Sequence, residues 1–387
     1  MLYGRRVTAA RRFLVPSALV VVVIALVLDV RNAYEPNGID FHTYEAAARV
    51  GLQHGWSHIY DQALVAIEQK NLNPGQIAQP FLSPPTVAWL AALVAWLPYW
   101  SSFYTWAVLT LIALALALVW ASPERGLVRW VVVGALLVPW WVLHAVHLGQ
   151  VVPLVAAGVV LAWRLVRERR DVAAGIALAL LSLKPNTALL VPFAMLAAGR
   201  YRTFAALTGA AIVIGAIAFA TLGLSGISAY ISQITGPLPR GASSLTLEGS
   251  LGVGGAVANG LRLLIVAVSL VAAFRLRRSP GLVIAAGTLG SLLVAPYLHG
   301  SDLCLLGVAA WFVWEERPAL AWRVPLAAGW LVSSPFIDSS PLQLRLNRYP
   351  LIELLLLAAL VFEAWRPGQA IEPPLTGEAE PRTRAPA

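Results

Sequence analysis

Long apolar runs separated by arginine clusters are the feature that most constrains how this chain can fold. Several of these runs reach the roughly 18–20 residues that a helix needs to cross a bilayer. Of the 387 residues, 59% are hydrophobic and 12% are charged, and a soluble domain carries about twice that charged fraction. A transmembrane β-barrel would show short alternating segments instead, and these are absent. The sequence therefore predicts an all-α, polytopic transmembrane protein.

The arginine clusters predict which loops face the cytoplasm. Lysine and arginine are enriched in cytoplasmic loops, and here the clusters at 164–170 and 275–278 stand between apolar runs. The arginines of the cytoplasmic loops then account for the net charge of +9, and no nucleic-acid partner is expected. Four arginines precede the first apolar run, after which no cleavage site is evident. This pattern predicts a retained first helix with a cytoplasmic N-terminus, in a multi-pass protein of the plasma (inner) membrane.

The first large loop, residues 31–80, is then extracytoplasmic. Residues 40–52 read as a short amphipathic helix, with Phe41, Tyr44 and Ala48 spaced to share one face. Such a helix is expected to lie along the membrane surface.

About twelve spans, give or take two, are expected within one domain covering residues 1–365, followed by a disordered cytoplasmic tail at 366–387. Basic clusters flank residues 172–199, which predicts a hairpin of two short helices with Lys184 near its outer apex. If residues 81–98 cross the membrane fully, the basic loops at Arg125/Arg129 and at 164–170 cannot both face the cytoplasm. Either this run is re-entrant or a short helix, or one basic loop lies outside.

This topology brings unusual polar side chains together on the outer face. Ionisable groups at membrane depth are costly, so they are functional candidates. A carboxylate there can take a proton from an acceptor hydroxyl while cations neutralise a phosphate leaving group. The candidates are Asp40, Tyr44, Gln150, Lys184, His299, Asp302, Arg345 and Arg348.

Structural explanations compete with these functional ones. Lys184 precedes a proline and can bond freed backbone carbonyls, and Asp302 stands where it can begin a helix. His144 and His147 are spaced to share a helix face, which suggests a metal, although interfacial histidines explain them better. The single cysteine excludes a disulfide framework and a cysteine-based zinc site.

Five short motifs in order resemble glycosyltransferase family 87, over roughly residues 35 to 310. In two of them a serine, Ser83 or Ser301, stands where the family has an aromatic residue. The motifs are Asp40-Phe41-x-x-Tyr44, Ser83-Pro84-Pro85, Gly149-Gln150, Lys184-Pro185-Asn186, and Pro296-Tyr297 followed by Ser301-Asp302-Leu303.

The resemblance implies a GT-C fold with its active site at the extracytoplasmic face. It implies an inverting transferase that uses a polyprenyl-phosphate sugar, often mannose and in other members arabinofuranose. Asp40 matches the expected base of the first outer loop. We expect Lys184 with Arg345 or Arg348 to bind the donor phosphate. Substrate contacts are expected from Tyr44, Gln150, Tyr297, His299 and Asp302.

The expected partners are the polyprenyl-phosphate sugar, a glycolipid or envelope-glycan acceptor, and membrane lipids. No cofactor is expected, and no metal is needed if lysine and arginine supply the charge. Two alternatives stay open: a transporter or flippase of lipid-linked sugars, and a non-catalytic membrane protein that binds a lipid-linked glycan.

Overall fold

The computed structural model describes residues 2–32, 38–236, 245–316, 320–335 and 349–366. Helices are the only regular secondary structure in these ranges, which confirms the all-α class. The α-helices are α1 Leu2–Asn32, α2 Ile39–His54, α3 Gln62–Leu72, α4 Pro85–Ala92, α5 Tyr99–Ala121, α6 Leu127–Leu137, α7 Trp140–Leu148, α8 Val152–Arg167, α9 Asp171–Leu178, α10 Leu190–Ala197, α11 Tyr201–Thr235, α12 Leu247–Leu251, α13 Gly255–Arg275, α14 Pro280–Val294, α15 Cys304–Glu315, α16 Leu320–Val332 and α17 Tyr349–Ala364. Short 3-10 turns lie at Trp56–His58, Ala179–Leu183, Pro185–Thr187 and Gly300–Leu303.

Within the described ranges, four helices are long and apolar enough to cross a membrane: Phe13–Arg31, Tyr99–Ala121, Tyr201–Thr235 and Gly255–Arg275. Helices α6 and α7, bent by 64° at a short break, make a fifth span if they are taken as one. Two shorter apolar segments, Asp171–Leu183 and Pro280–Val294, add to the apolar body. The transmembrane class therefore holds, whereas the count of twelve spans and the single domain over 1–365 stay predictions.

Residues 81–98 contain only the eight-residue helix α4, which begins at a proline pair. At 1.5 Å per residue this helix is about 12 Å long, against a hydrocarbon core of about 30 Å. Of the alternatives considered for residues 81–98, the short helix is the one observed. The clusters around Arg129 and at 164–170 can then lie on the same side.

Residues 172–199 form the predicted hairpin. Its two limbs, α9 and α10, are joined by the 3-10 turns that flank Lys184. Its two ends meet, because Arg200 Nη1 lies 4.0 Å from Asp171 Oδ1. Lys184 is at the apex because Pro185 has no N–H to donate and interrupts the helical hydrogen bonds there.

Other contacts fix which helix termini lie together at each end of the helical body. The C-termini of α13 and α17 meet where Arg275 Nε donates to the carbonyl of Ala364, at 2.8 Å. At the end that carries the Lys184 apex, Trp140 Nε1 donates to Tyr349 Oη at 2.9 Å, which joins α7 to α17. Arginine clusters accordingly gather at one end, and the described polar candidates, among them Lys184 and Asp302, lie at the other.

Helix α2 is present where the amphipathic pattern predicts it and is buried on several faces, whereas its expected position along the membrane surface stays a prediction. Phe41, Ala46, Ala47 and Ala48 are fully buried, and α3 and α4 pack against α2. Burial on several faces is possible because the alanines are small and the polar side chains on the helix find protein partners. The helix is therefore part of the protein core beneath the first loop.

Three predictions lie outside the described residues. These are the placement of Arg345, that of Arg348, and the structure of the tail beyond Arg366.

Candidate active site

Lys184 stands at the centre of a buried polar cluster. Its Nζ lies 2.6 Å from Asp302 Oδ1 and donates to Gln150 Oε1 at 3.3 Å. Lys184 is 8% exposed, and Asp302 is fully buried. The contact joins the hairpin apex to the 3-10 turn Gly300–Leu303, so residues more than a hundred positions apart meet as the outer-face prediction requires.

Gln150 links this ion pair to helix α2. Its Oε1 also accepts a hydrogen bond from Tyr44 Oη at 3.2 Å. An ammonium group only donates, so the amide oxygen must face Lys184. The amide nitrogen is then left to face the carboxylate of Asp40, whose pKa the Gln150 side chain lowers. One amide therefore connects Tyr44, Lys184 and Asp40.

The position before this glutamine, Gly149, requires a glycine. Helix α7 ends at Gly149 in the left-handed conformation, with φ at 71°. A Cβ atom there would lie 2.4 Å from Cβ of Phe41 on α2. The Gly149 carbonyl accepts a hydrogen bond from Trp106 Nε1 at 2.9 Å. The absent side chain lets α2 approach closely and turns Gln150 into the cluster.

Asp40 occupies the first turn of α2 and is half-buried. Burial raises the pKa of its carboxyl above the ordinary value, while the charges of Lys184 and His299 and the Gln150 hydrogen bond oppose that rise. The ion pair of Lys184 is with Asp302, not with Asp40. Asp40 is thus the carboxylate of this cluster that is neither paired with Lys184 nor fully buried.

Asp302 uses both carboxylate oxygens within the protein. Oδ1 faces Lys184, and Oδ2 accepts the backbone N–H of His299 at 2.8 Å. The helix-capping explanation and the ion-pair explanation for Asp302 therefore both hold. The ring of His299 is exposed and lies 6.1 Å from that of Tyr297, which is half-buried and interacts electrostatically with Lys184.

Two ionisable residues of α2 turn away from the cluster. Glu45 forms an ion pair with Arg49 at 2.6 Å, and Arg49 also donates to the Leu97 carbonyl at 3.1 Å. His42 Nε2 donates to the Gln69 carbonyl at 2.8 Å, and burial lowers the pKa of its imidazole. These contacts fasten α2 to α3 and to the segment before α5.

Ser83 and Ser301, the two serines that stand where the family has an aromatic residue, lie beside the cluster. The Ser83 side chain lies close to the Tyr44 hydroxyl. Ser301 precedes Asp302 and is fully buried, and its hydroxyl has no hydrogen-bond partner among the described residues. Replacing an aromatic ring at these two positions therefore changes the immediate surroundings of the polar cluster.

Sequence reasoning did not find one further aromatic residue at this end, Tyr230, which packs against Tyr60 of the first loop. Their ring centroids are 4.8 Å apart, and the phenol of Tyr230 interacts electrostatically with Tyr297. Tyr230 belongs to a long apolar helix, where no pattern marks it as part of a site.

Within the described ranges, no three His, Cys, Asp or Glu side chains are grouped to hold a metal, and His144 packs against Trp140 instead.

The model of glycosyltransferase family 87 matches residues 81–335, well over half of the chain. The match includes Gln150, Lys184, Tyr297 and Asp302 and begins after Asp40. No curated protein and no solved structure matches the chain significantly. The resemblance noted in the sequence is thereby confirmed over most of its extent. The chain belongs to glycosyltransferase family 87 and is a membrane glycosyltransferase.

Proposed function

We propose that this glycosyltransferase moves a sugar from a polyprenyl-phosphate donor to a glycolipid or envelope-glycan acceptor, with inversion, at the extracytoplasmic face of the inner membrane. One observation carries the proposal. Gln150 joins an accessible carboxylate, Asp40, to a buried cation, Lys184, which is held in place by Asp302. A base and a phosphate-binding group are the two parts that this reaction needs.

Asp40 is the proposed general base. Its carboxylate accepts the proton of the acceptor hydroxyl as that oxygen forms a bond to the anomeric carbon of the donor. The bond between this carbon and the phosphate oxygen breaks, and the polyprenyl phosphate leaves with the electron pair. A single displacement of this kind inverts the anomeric configuration. The raised pKa of Asp40 favours the role, because a less acidic carboxyl has a more basic carboxylate.

Lys184 is the proposed phosphate-binding residue. Its ammonium has three N–H donors, of which Asp302 and Gln150 take two. The third is available to the donor phosphate. The leaving phosphate gains negative charge as the bond breaks, so a fixed N–H donor stabilises the transition state more than the bound substrate. Arg345 and Arg348 are proposed to add positive charge next to the phosphate.

The proposed extracytoplasmic location rests on the two ends of the helical body. Arg200, Arg275 and the cluster at 164–170 lie at one end, and Lys184 lies at the other. Arginine clusters favour the cytoplasmic side of a membrane, which leaves the polar cluster facing outward. Substrate contacts are proposed for Tyr44, Gln150, Tyr297, His299 and Asp302.

Mannose is the proposed donor sugar, supported by the family pattern. Ser83 and Ser301 lie where sugar contacts are expected to differ from those of members that carry aromatic residues there. Arabinofuranose is the competing donor, and comparing the two polyprenyl-phosphate sugars in one assay decides between them.

The test is transfer by purified protein in detergent, with short-chain polyprenyl-phosphate mannose and an envelope glycolipid extract. A mannosylated product of inverted configuration is expected. A carrier or a non-catalytic binding protein would bind the donor under these conditions and form no product, and that result would contradict the proposal.

A further inference from the structure

Helix α11 is interrupted at Gly223, whose backbone has φ at 62° and ψ at −178°. Side chains other than glycine rarely adopt this conformation. The break separates residues 201–222 from residues 224–235, and the second segment packs against the turn Trp56–His58. Leu224 and Ile231 on that segment stay exposed, so its outer face is apolar.

The segment after the break places Tyr230 against a fixed aromatic partner. The rings of Tyr230 and Tyr60 are 4.8 Å apart and inclined by 31°. Tyr60 is held firmly, since its hydroxyl donates to the Ser83 carbonyl at 2.8 Å and its ring stacks on Phe81 at 5.4 Å. The position of Tyr230 is thereby set relative to the same serine that contacts Tyr44.

The phenol groups of Tyr230 and Tyr297 are neighbours, and Tyr297, whose ring lies 6.1 Å from that of His299, is also close to Lys184 and Asp302. Both tyrosines are half-buried. Among the described residues, neither hydroxyl hydrogen-bonds to another protein group. A row of phenols thus runs from Tyr60 to the edge of the Lys184 cluster, with two hydroxyls open to a ligand.

We propose that Tyr230 and Tyr297 bind the sugar ring of the donor, and that the break at Gly223 positions Tyr230 for this contact. The inference rests on the proposed function, in which Lys184 binds the donor phosphate. The sugar is attached directly to that phosphate and must lie beside it. Sugars present both C–H bonds, which pack on aromatic rings, and hydroxyls, which pair with phenols. The isoprenoid chain has no polar group to engage the two free hydroxyls.

The test compares two ligands in detergent, short-chain polyprenyl-phosphate mannose and the same polyprenyl phosphate without sugar. Tyr230→Ala is expected to weaken binding of the mannose-bearing lipid by about tenfold, or about 1.4 kcal/mol. Its affinity for the sugar-free lipid is expected to stay unchanged. Tyr230→Phe keeps the packing on Tyr60 and is expected to show a smaller loss, about threefold, for the mannose-bearing lipid alone.

Tyr201→Ala is the matched control, since Tyr201 lies on the same helix at its other end and is 68% exposed. It is expected to leave both affinities unchanged. Gly223→Ala is expected to reproduce the selective loss seen with Tyr230→Ala.

An equal loss for both ligands, or no loss for either, in the Tyr230 variants would overturn the inference while leaving the proposed function intact. If the wild-type protein binds the two lipids equally well, the sugar makes no favourable contact with it. This result also overturns the inference. Wild-type protein that binds neither lipid contradicts the proposed donor and the inference together.

Discussion

The ammonium nitrogen of Lys184 lies 2.6 Å from Oδ1 of Asp302, and both side chains are withdrawn from solvent. This pair assigns different tasks to the two carboxylates of the cluster. Asp302 is occupied by Lys184 and by the backbone of His299, and it fixes the lysine. Asp40 lies outside this ion pair, interacts with Gln150 and is half-buried, as the proposed base requires.

Breaking the Lys184–Asp302 pair from one side should destabilise the protein. Asp302→Asn leaves a buried ammonium without its counter-charge, and a loss of about 3–5 kcal/mol is expected. The double variant Lys184→Met with Asp302→Asn removes both charges and should recover most of that loss without recovering transfer. Unfolding in detergent followed by tryptophan fluorescence measures both. A double variant no more stable than Asp302→Asn alone would contradict the buried-pair account.

The acid limb of the pH–rate profile should report Asp40. The carboxylate is the active form, so kcat/KM should fall as the pH drops through its pKa, which burial raises above the ordinary 3.8. The Gln150 hydrogen bond favours the charged form and lowers this pKa. Gln150→Leu should therefore shift the acid limb to higher pH as well as lower the maximal rate. A limb that moves to lower pH, or that does not move, would show that another group is titrating.

Gly149→Ala should damage both stability and activity. The new Cβ adds a clash with Phe41 to the cost of a left-handed backbone, about 2–5 kcal/mol together. Because Gln150 would be displaced, transfer should fall at least tenfold in the protein that remains folded.

Gly252→Ala separates these two contributions. Gly252 has the same left-handed backbone, with φ at 65°, but no described atom lies within 4 Å of its added Cβ. The expected cost is about 1–2 kcal/mol, with transfer unchanged per folded molecule. Equal effects of the two variants on transfer would rule out the close approach of Phe41 as the reason for glycine at 149.

Glu353 on α17 should be dispensable. It is fully buried, and within the part of the chain that the structure describes neither carboxyl oxygen has a hydrogen-bond partner. Burial of an unpaired polar group costs about 1–3 kcal/mol, so Glu353→Leu should raise the unfolding midpoint and leave transfer unchanged. Loss of transfer in a stable Glu353→Leu protein would reveal a role for this carboxyl that its surroundings do not indicate.

The sequence predicts those parts of the site that recur as local patterns. Basic clusters on both flanks of residues 172–199 predict the hairpin and the position of Lys184 at its apex, and the alternation of loops predicts that Gln150 and Asp302 lie on the same face as Lys184. The burial of α2 was not predictable, because alanine-rich faces suit a surface helix and a buried helix equally well.

Tyr230 was missed for a different reason. Its position depends on the break at Gly223 and on contact with a turn far away in sequence, and neither leaves a periodic signal. A glycine within an apolar run is common in membrane helices. Only the backbone conformation distinguishes a break from a continuous helix at that point.

The central claim is that Asp40 removes the proton from the acceptor hydroxyl, and transfer by Asp40→Asn tests it most directly. The substitution keeps the size of the side chain and removes its basicity, so initial rates should fall by about 10²–10⁴-fold. Glu68→Gln, in the same loop and hydrogen-bonded to Asn71, is the matched control and should keep wild-type rates. Both proteins should show wild-type binding of polyprenyl-phosphate mannose. An Asp40→Asn protein that transfers mannose within about twofold of the wild-type rate would contradict the account.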